Sequence, residues 1–238
     1  MKNSMNIIWA ITGAGHLLKE SMEILDAISN KHNITLALSK AGEEVITLYG
    51  LNKKMKKIIN KKTSNSIVQE DEQKYSYPFS GKITHEKYDL IIIAPATANT
   101  TAKIVHGIAD TLVTNIVAQS GKGEIPLIIL PVDQKEGPVE SIIPPYINKK
   151  ICIECEDCIP KRICSEEAIQ PPEIDSGKCS GCKKCGNKCK YDAIILNKKI
   201  KLYIRKIDAQ NTKKLDEIEN ITRVNLPEEI INIINKIR

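Results

Sequence analysis

Asp89-Leu90-Ile91-Ile92-Ile93-Ala94-Pro95-Ala96-Thr97-Ala98-Asn99-Thr100 is the stretch on which the fold turns. Its first half is short, apolar and rich in β-branched residues. That pattern predicts a central strand of a parallel sheet, buried on both faces. Its second half is a loop of small residues and hydroxyls that opens a helix. Small side chains let a ligand approach the backbone, and Thr and Asn supply donors and acceptors. In α/β folds ligands bind at the carboxyl edge of central strands. Thr and Asn also favour helix N-caps, which leaves a purely structural role open.

The flanking sequence repeats this logic. Asn6–Ile11 reads as a second buried strand, followed by Thr12-Gly13-Ala14-Gly15-His16 and an amphipathic helix over Leu17–Lys31. A glycine-containing strand–helix turn is where this architecture holds phosphate, although a plain tight turn has the same composition. Ile34–Leu38 makes another strand and ends in Ser39-Lys40. A nicotinamide site wants an acidic residue there. Ser and Lys suit a phosphate oxygen better, which argues against NAD and leaves a mononucleotide open. Helices are expected from Gly42 to Tyr49 and over Lys54–Asn60. Asn65–Ser80 reads as a long loop whose Tyr75, Tyr77 and Phe79 cover a ligand, meet a neighbouring subunit or simply lie on the surface. After Thr100 a helix is expected to run through His106 to Asp110, then a second apolar segment over Thr111–Ala118. Ile125–Leu130 is a further buried strand. The expected class is therefore α/β, a Rossmann- or flavodoxin-like parallel sheet with helices on both faces.

All eight cysteines fall between Cys152 and Cys189. Cys152, Cys155 and Cys158 are spaced by three, then Cys164; Cys179, Cys182 and Cys185 are spaced by three, then Cys189. This is a two-cluster ferredoxin pattern, in which the fourth cysteine of each run serves the other cluster. On that rule Cys152, Cys155, Cys158 and Cys189 hold one 4Fe–4S cluster, and Cys179, Cys182, Cys185 and Cys164 the second. Ala168-Ile169 and Ala193-Ile194 follow the two fourth cysteines at matching places, as an internal repeat requires. The five residues between Cys158 and Cys164, where three are usual, predict a local bulge. Zinc is the rival, although it needs only paired C-x2-C knuckles.

These readings divide the chain into an α/β domain over 1–146, a cysteine module over 147–199, and a strand-and-helix extension over 200–238. A proline-punctuated linker spans Gly137 to Pro145. The extension carries an alternating strand over Lys198–Ile207 and a helix opening at Leu226-Pro227. The net charge of +6 comes from scattered lysines without interleaved aromatics, a solvated surface rather than a nucleic-acid site. The N-terminal apolar strand is too short for a signal or membrane span, so a soluble cytoplasmic protein is expected.

Pro95-Ala96-Thr97-Ala98-Asn99-Thr100, with Thr12-Gly13-Ala14-Gly15 and Ser39, resembles the homo-oligomeric flavin-containing cysteine decarboxylase superfamily. With the cysteine module, and with Leu38–Glu44 and Gly107–Leu112, the chain is similar to its archaeal flavoprotein branch, which includes ferredoxin-linked dihydromethanopterin reductases. The resemblance covers about 6–135 and 150–195. It implies FMN bound by Thr12, Gly13, Ala14, Gly15, Ser39, Pro95, Ala96, Thr97, Asn99 and Thr100, in an oligomer built on trimers. It implies electrons passing from a ferredoxin through two clusters to FMN and on to a dihydropterin. The decarboxylases' histidine has no clean counterpart, since Ser80-Gly81-Lys82 occupies the region and His85 lies too near Asp89. Their later P-A-M-N-like segment is replaced by Pro131-Val132-Asp133-Gln134, which makes Asp133 and Gln134 candidates for flavin or substrate contact. Decarboxylation is disfavoured; an electron carrier between ferredoxin and another protein is the remaining alternative.

Overall fold

The structure is a computed structural model and describes residues 4–237. In chain order its first domain contains β1 (Asn6–Ile11), α1 (Leu18–Ile28), β2 (Asn33–Leu38), α2 (Lys40–Leu48), α3 (Asn52–Ile59), β3 (Ser66–Gln69), α4 (Pro78–Lys82), β4 (Leu90–Ala96), α5 (Ala98–Val105), α6 (Leu112–Lys122) and β5 (Leu127–Pro131). The module region follows with β6 (Gly137–Ile142), β7 (Tyr146–Ile147), α7 (Ile159–Ile163), β8 (Ile169–Gln170), β9 (Glu173–Ile174), β10 (Ile194–Ile195) and β11 (Lys199–Ile204). The chain ends in α8 (Lys206–Lys214), β12 (Ile221–Arg223) and α9 (Pro227–Lys236).

Six parallel strands in the order β3-β2-β1-β4-β5-β12 form the central sheet. This is the expected doubly wound fold. The order reverses between β1 and β4, so a crevice opens between their carboxyl ends. Residues alternate between two cores. Ile7, Trp9 and Ile11 pack with α1, α3 and α9, while Ile8 and Ala10 pack with α5 and α6. The Trp9 indole N–H donates to the Ala94 carbonyl at 2.9 Å, so the one large aromatic of the core also ties β1 to β4. Among the described residues no helix is long and apolar enough to cross a membrane.

Four expectations change. Ser66–Gln69 is not loop but the edge strand β3, parallel to β2. Four half-exposed residues with two apolar side chains are too short to show a period in sequence. The helix expected to run to Asp110 stops at Val105; His106 is its exposed C-cap, and Gly107 with φ +69° turns the chain away. Thr111 then starts α6 in a reciprocal capping box with Thr114. The proline-punctuated linker is largely strand, since β6 pairs with β11 in an antiparallel ribbon from Gly137↔Ile204 to Ile142↔Lys199. Finally, residues beyond 205 return to the first domain. The α8 helix packs on α5, β12 adds the sixth strand beside β5, and α9 packs on α1.

Candidate functional site: a stitched crevice and two cysteine cavities

Thr12 joins the two loops of the crevice. Its hydroxyl donates to the Pro95 carbonyl at 2.9 Å and accepts the Thr97 N–H at 2.9 Å. Thr97 in turn caps α5, accepting from the Thr100 N–H at 3.2 Å, with the two hydroxyls 3.0 Å apart. Ser39 is the N-cap of α2, which therefore begins two residues earlier than expected; its hydroxyl accepts from the Gly42 N–H at 3.0 Å. The Ser39 hydroxyl keeps its own proton free to donate outward, and the hydrogen-bonded Thr97–Thr100 pair keeps one. Asn99 is exposed and makes no side-chain hydrogen bond among the described residues. The ten residues from three separate segments thus meet at the carboxyl ends of β1, β2 and β4. Pro95 and Ala96 are buried within β4, so only their backbone borders the crevice.

Glu70 supports this edge and carries no sequence motif. Its nearly buried carboxylate accepts the Lys40 N–H at 3.0 Å and the Leu112 N–H at 3.0 Å, joining the N-termini of α2 and α6. Tyr77 and Phe79 pack against the α6-side core, while Tyr75 is fully exposed. His85 is exposed in a turn.

Asp133 lies just past β5. Burial pushes its carboxyl above the usual range, and nearby Asp208 adds to the effect; the Ala98 N–H, His16 and Arg205 oppose it. Gln134 is used structurally: its amide nitrogen donates to the Pro131 carbonyl at 2.9 Å and the Asn225 carbonyl at 2.8 Å.

In the module the eight free cysteines sort into two groups. Cys152, Cys155, Cys158 and Cys189 line an apolar cavity with Ile147, Ile153, Pro160 and Ile194. Cys164, Cys179, Cys182 and Cys185 line another, facing the first domain. Burial pushes the Cys179 and Cys185 thiols up. Backbone N–H groups of Gly181 and Ala193 point at the sulfurs of Cys179 and Cys189, each at 3.4 Å. Among the described residues no three His, Cys, Asp or Glu side chains converge to grip a single ion.

The module is an internal repeat in geometry as well as sequence. Cys152 N–H donates to Asn148 as Cys179 N–H donates to Asp175; Glu167 N–H donates to Cys164 as Asp192 N–H donates to Cys189. Glu167 and Asp192 share φ values of +52° and +53°. The longer Cys158–Cys164 gap is absorbed by the one-turn helix α7, where the second half has a shorter 3-10 turn at Gly186–Lys188.

The inner cavity shares a wall with the crevice. Tyr49 and Gly50 line it. The Tyr49 hydroxyl presses on the Thr12–Gly15 loop so closely that a Cβ on Gly15 would stand 2.2 Å away. That hydroxyl donates to the Ile142 carbonyl at 2.6 Å, and Lys19 stands 5.8 Å over the ring. Neither Tyr49 nor Lys19 carried a motif; only the folded contact identifies them.

The flavoprotein family profile matches residues 1–137. A dihydromethanopterin reductase (acceptor) of Methanocaldococcus jannaschii is 44% identical, over 98% of this chain and 96% of its own. One of Methanosarcina mazei is 37% identical, over 95% and 98%. Among solved structures, Burkholderia xenovorans DmrB in complex with FMN, described as a cubic protein cage for redox transfer, superposes with a TM-score of 0.63 at 26% identity, over 99% of this chain and 96% of that one.

Proposed function

The chain belongs to the flavoprotein family, and on that premise we propose that it is an iron–sulfur flavoprotein that takes electrons from a ferredoxin and reduces dihydromethanopterin or a related dihydropterin to the tetrahydro form. It is a flavin-dependent oxidoreductase. The names of its near-full-length relatives support the pterin substrate, and the FMN of the superposed cage supports the flavin.

One observation carries the reading. The inner cysteine cavity and the crevice share Tyr49, so an electron-handling module abuts a mononucleotide site. FMN fits the crevice. Ser39 and one hydroxyl of the Thr97–Thr100 pair retain a proton for phosphate or ribityl oxygens, Asn99 offers an amide with no side-chain hydrogen bond among the described residues, and Thr12, Gly13, Ala14, Gly15, Pro95 and Ala96 offer backbone. The cysteine sets fit iron–sulfur clusters by their donors: four thiols around an apolar cavity, with amide N–H groups directed at sulfur. When bound, these groups would supply single-electron exchange at the clusters and paired-electron delivery at the flavin.

The chain's own residues position the rest. Thr12 fixes the spacing of the two flavin loops. Glu70 holds the starts of α2 and α6 together behind them. Lys19 places a cation beside the inner set. We assign residues 1–146 to the flavin domain and 147–199 to the cluster module, with 200–238 completing the first domain. We further infer a cytoplasmic homo-oligomer built on trimers, in which a neighbouring subunit would cover Asn99 at the crevice mouth; the cage of the superposed relative supports assembly.

The test is anaerobic. Purified protein should carry FMN and roughly eight irons per chain. After reduction by low-potential ferredoxin or a viologen, added dihydromethanopterin should reoxidise the flavin and yield the tetrahydro product stoichiometrically. Reoxidation by a protein acceptor but not by the pterin would convert the reading to an electron carrier. Zinc in place of iron would overturn the module's role.

A further inference from the structure

We propose that Asp133 is the acid that hands the proton to the substrate nitrogen during reduction, with Asp208 as the positioning residue that keeps that proton in place. The assignment rests on the reductase reading above.

Geometry comes first. Pairing of Ala96 with Pro131, and the Val132 N–H bond to the Ala96 carbonyl at 3.0 Å, bring residue 133 alongside the start of α5. This is the segment Thr97–Thr100 that borders the flavin crevice. The Thr212 hydroxyl donates to the Asp133 carbonyl at 2.8 Å and holds the backbone against α8. The neighbouring Gln134 is tied away from the crevice by its two carbonyl contacts.

The surroundings determine what the carboxyl can do. It faces the Ala98 N–H from α5, His16 from the loop after β1, Asp208 from α8 and Arg205 at that helix's N-cap. Arg205 is already engaged by Asp208 through two bonds of 2.7 and 2.8 Å. Among the described residues Asp133 makes no ion pair of its own, and the nearby cation Arg205 is committed to Asp208. Burial opposes ionisation of Asp133, and the neighbouring Asp208 adds to that. Of the carboxyl groups with a resolved shift among the described residues, Asp133 is the one displaced upward. A carboxyl whose ionisation is opposed by its surroundings is the type suited to general acid catalysis.

The step balances. With reduced flavin bound, the substrate C=N carbon would take a hydride, one proton with two electrons, and the flavin would be left oxidised. The C=N nitrogen takes the proton of the Asp133 carboxyl, which is left ionised and regains a proton from water.

Four readouts test the assignment. Asp133→Asn should keep its FMN, while single-turnover reoxidation by dihydropterin slows roughly 10²–10⁴-fold, the usual weight of a general acid. Asp133→Glu should recover part of the rate. The wild-type rate should fall as pH rises through the carboxyl's pKa; Asp208→Asn should move that fall to lower pH, and Asp133→Asn should abolish it. The fourth readout is independent of turnover. A carboxyl raised in the folded state stabilises the fold below its unfolded pKa and loses that stability as pH rises through the folded value. The Tm advantage of Asp133→Asn over wild type should therefore grow from pH 4 to pH 8. A rate within about threefold of wild type with an unchanged pH profile would overturn the proposal, because a general acid contributes far more. So would a Tm difference that ignores pH. Wild-type protein that reduces no dihydropterin overturns the reductase reading instead, and the Tm comparison still judges where the proton resides.

Discussion

Gly50 and Gly181 meet backbone to backbone: a Cβ placed on Gly50 would lie 2.7 Å from the Gly181 nitrogen. The contact joins the end of the α2 turn to the inner cysteine loop. Both residues have positive φ, +68° and +65°. Their surroundings differ, since a Cβ on Gly181 would find its nearest atoms at 3.4 Å. Gly181→Ala should therefore cost only left-handed strain, about 1–2 kcal/mol. Gly50→Ala adds a collision with backbone and should cost about 2–4 kcal/mol, combining strain with displacement. Urea denaturation of the two variants checks this; equal midpoints would mean the joint is loose.

The two cysteine cavities predict a crossed pattern of loss. Cys164→Ser should deplete the same centre as Cys179→Ser, and Cys189→Ser the same centre as Cys152→Ser, although each pair is separated in sequence. Each variant should retain about half the iron. Low-temperature EPR of the reduced protein distinguishes the pairs, and signals that grouped Cys164 with Cys152 would refute the crossed assignment.

Thr12→Val keeps the shape of the side chain and removes its bonds to Pro95 and Thr97. The Thr97 N–H then loses its acceptor, a cost of about 1–3 kcal/mol. Flavin affinity should fall with it, while Thr12→Ser should remain near wild type. Titration of apoprotein with FMN, followed by flavin fluorescence, measures both.

Glu70→Gln offers one acceptor oxygen where the carboxylate offers two. Either the Lys40 or the Leu112 N–H goes unpaired, costing about 1–3 kcal/mol. Hydrogen exchange should accelerate at those two amides ahead of the rest of the sheet. Uniform protection in the variant would show that the bridge does not hold the helices.

Arg223 beside Asp216 holds that carboxyl below its ordinary range. A depressed carboxyl contributes stability above its unfolded pKa and loses it as pH falls through the folded value. The pair is half exposed, so screening limits it to less than about 1 kcal/mol. Asp216→Asn should lower Tm slightly at pH 7 and leave it unchanged at pH 2.

The central strands and both cysteine sets were legible because each carries a local signal. Leu90–Ala94 is uninterrupted and apolar, and cysteines three apart repeat twice. The Thr12, Ser39 and Thr97 segments were legible through residue type and their position after strands. What escaped depends on contacts distant in sequence. The edge strand Ser66–Gln69 gains its identity from β2, and Glu70 from two helix starts that lie 30 and 42 residues away. Tyr49 reads as an ordinary helix-end aromatic until Gly15 and Gly181 fold against its neighbourhood. Val139 alternates weakly with polar residues between prolines, so β6 reads as linker, whereas its partner β11 around Leu202 reads as a strand.

The position of β12 imposes an order on synthesis. The sixth strand comes from residues 221–223, after the whole module has been made. A growing chain thus presents five strands, then the cysteine loops, and only at its end the strand that covers the open edge of β5. Until then Leu127–Pro131 offers unpaired backbone to any passing strand. The cysteine loops are an insertion whose ends are clasped by the β6–β11 ribbon. Loss of β12 would leave the edge of β5 bare whatever the state of the cysteine loops, so completion of the sheet depends on residues that lie far beyond its other five strands in sequence.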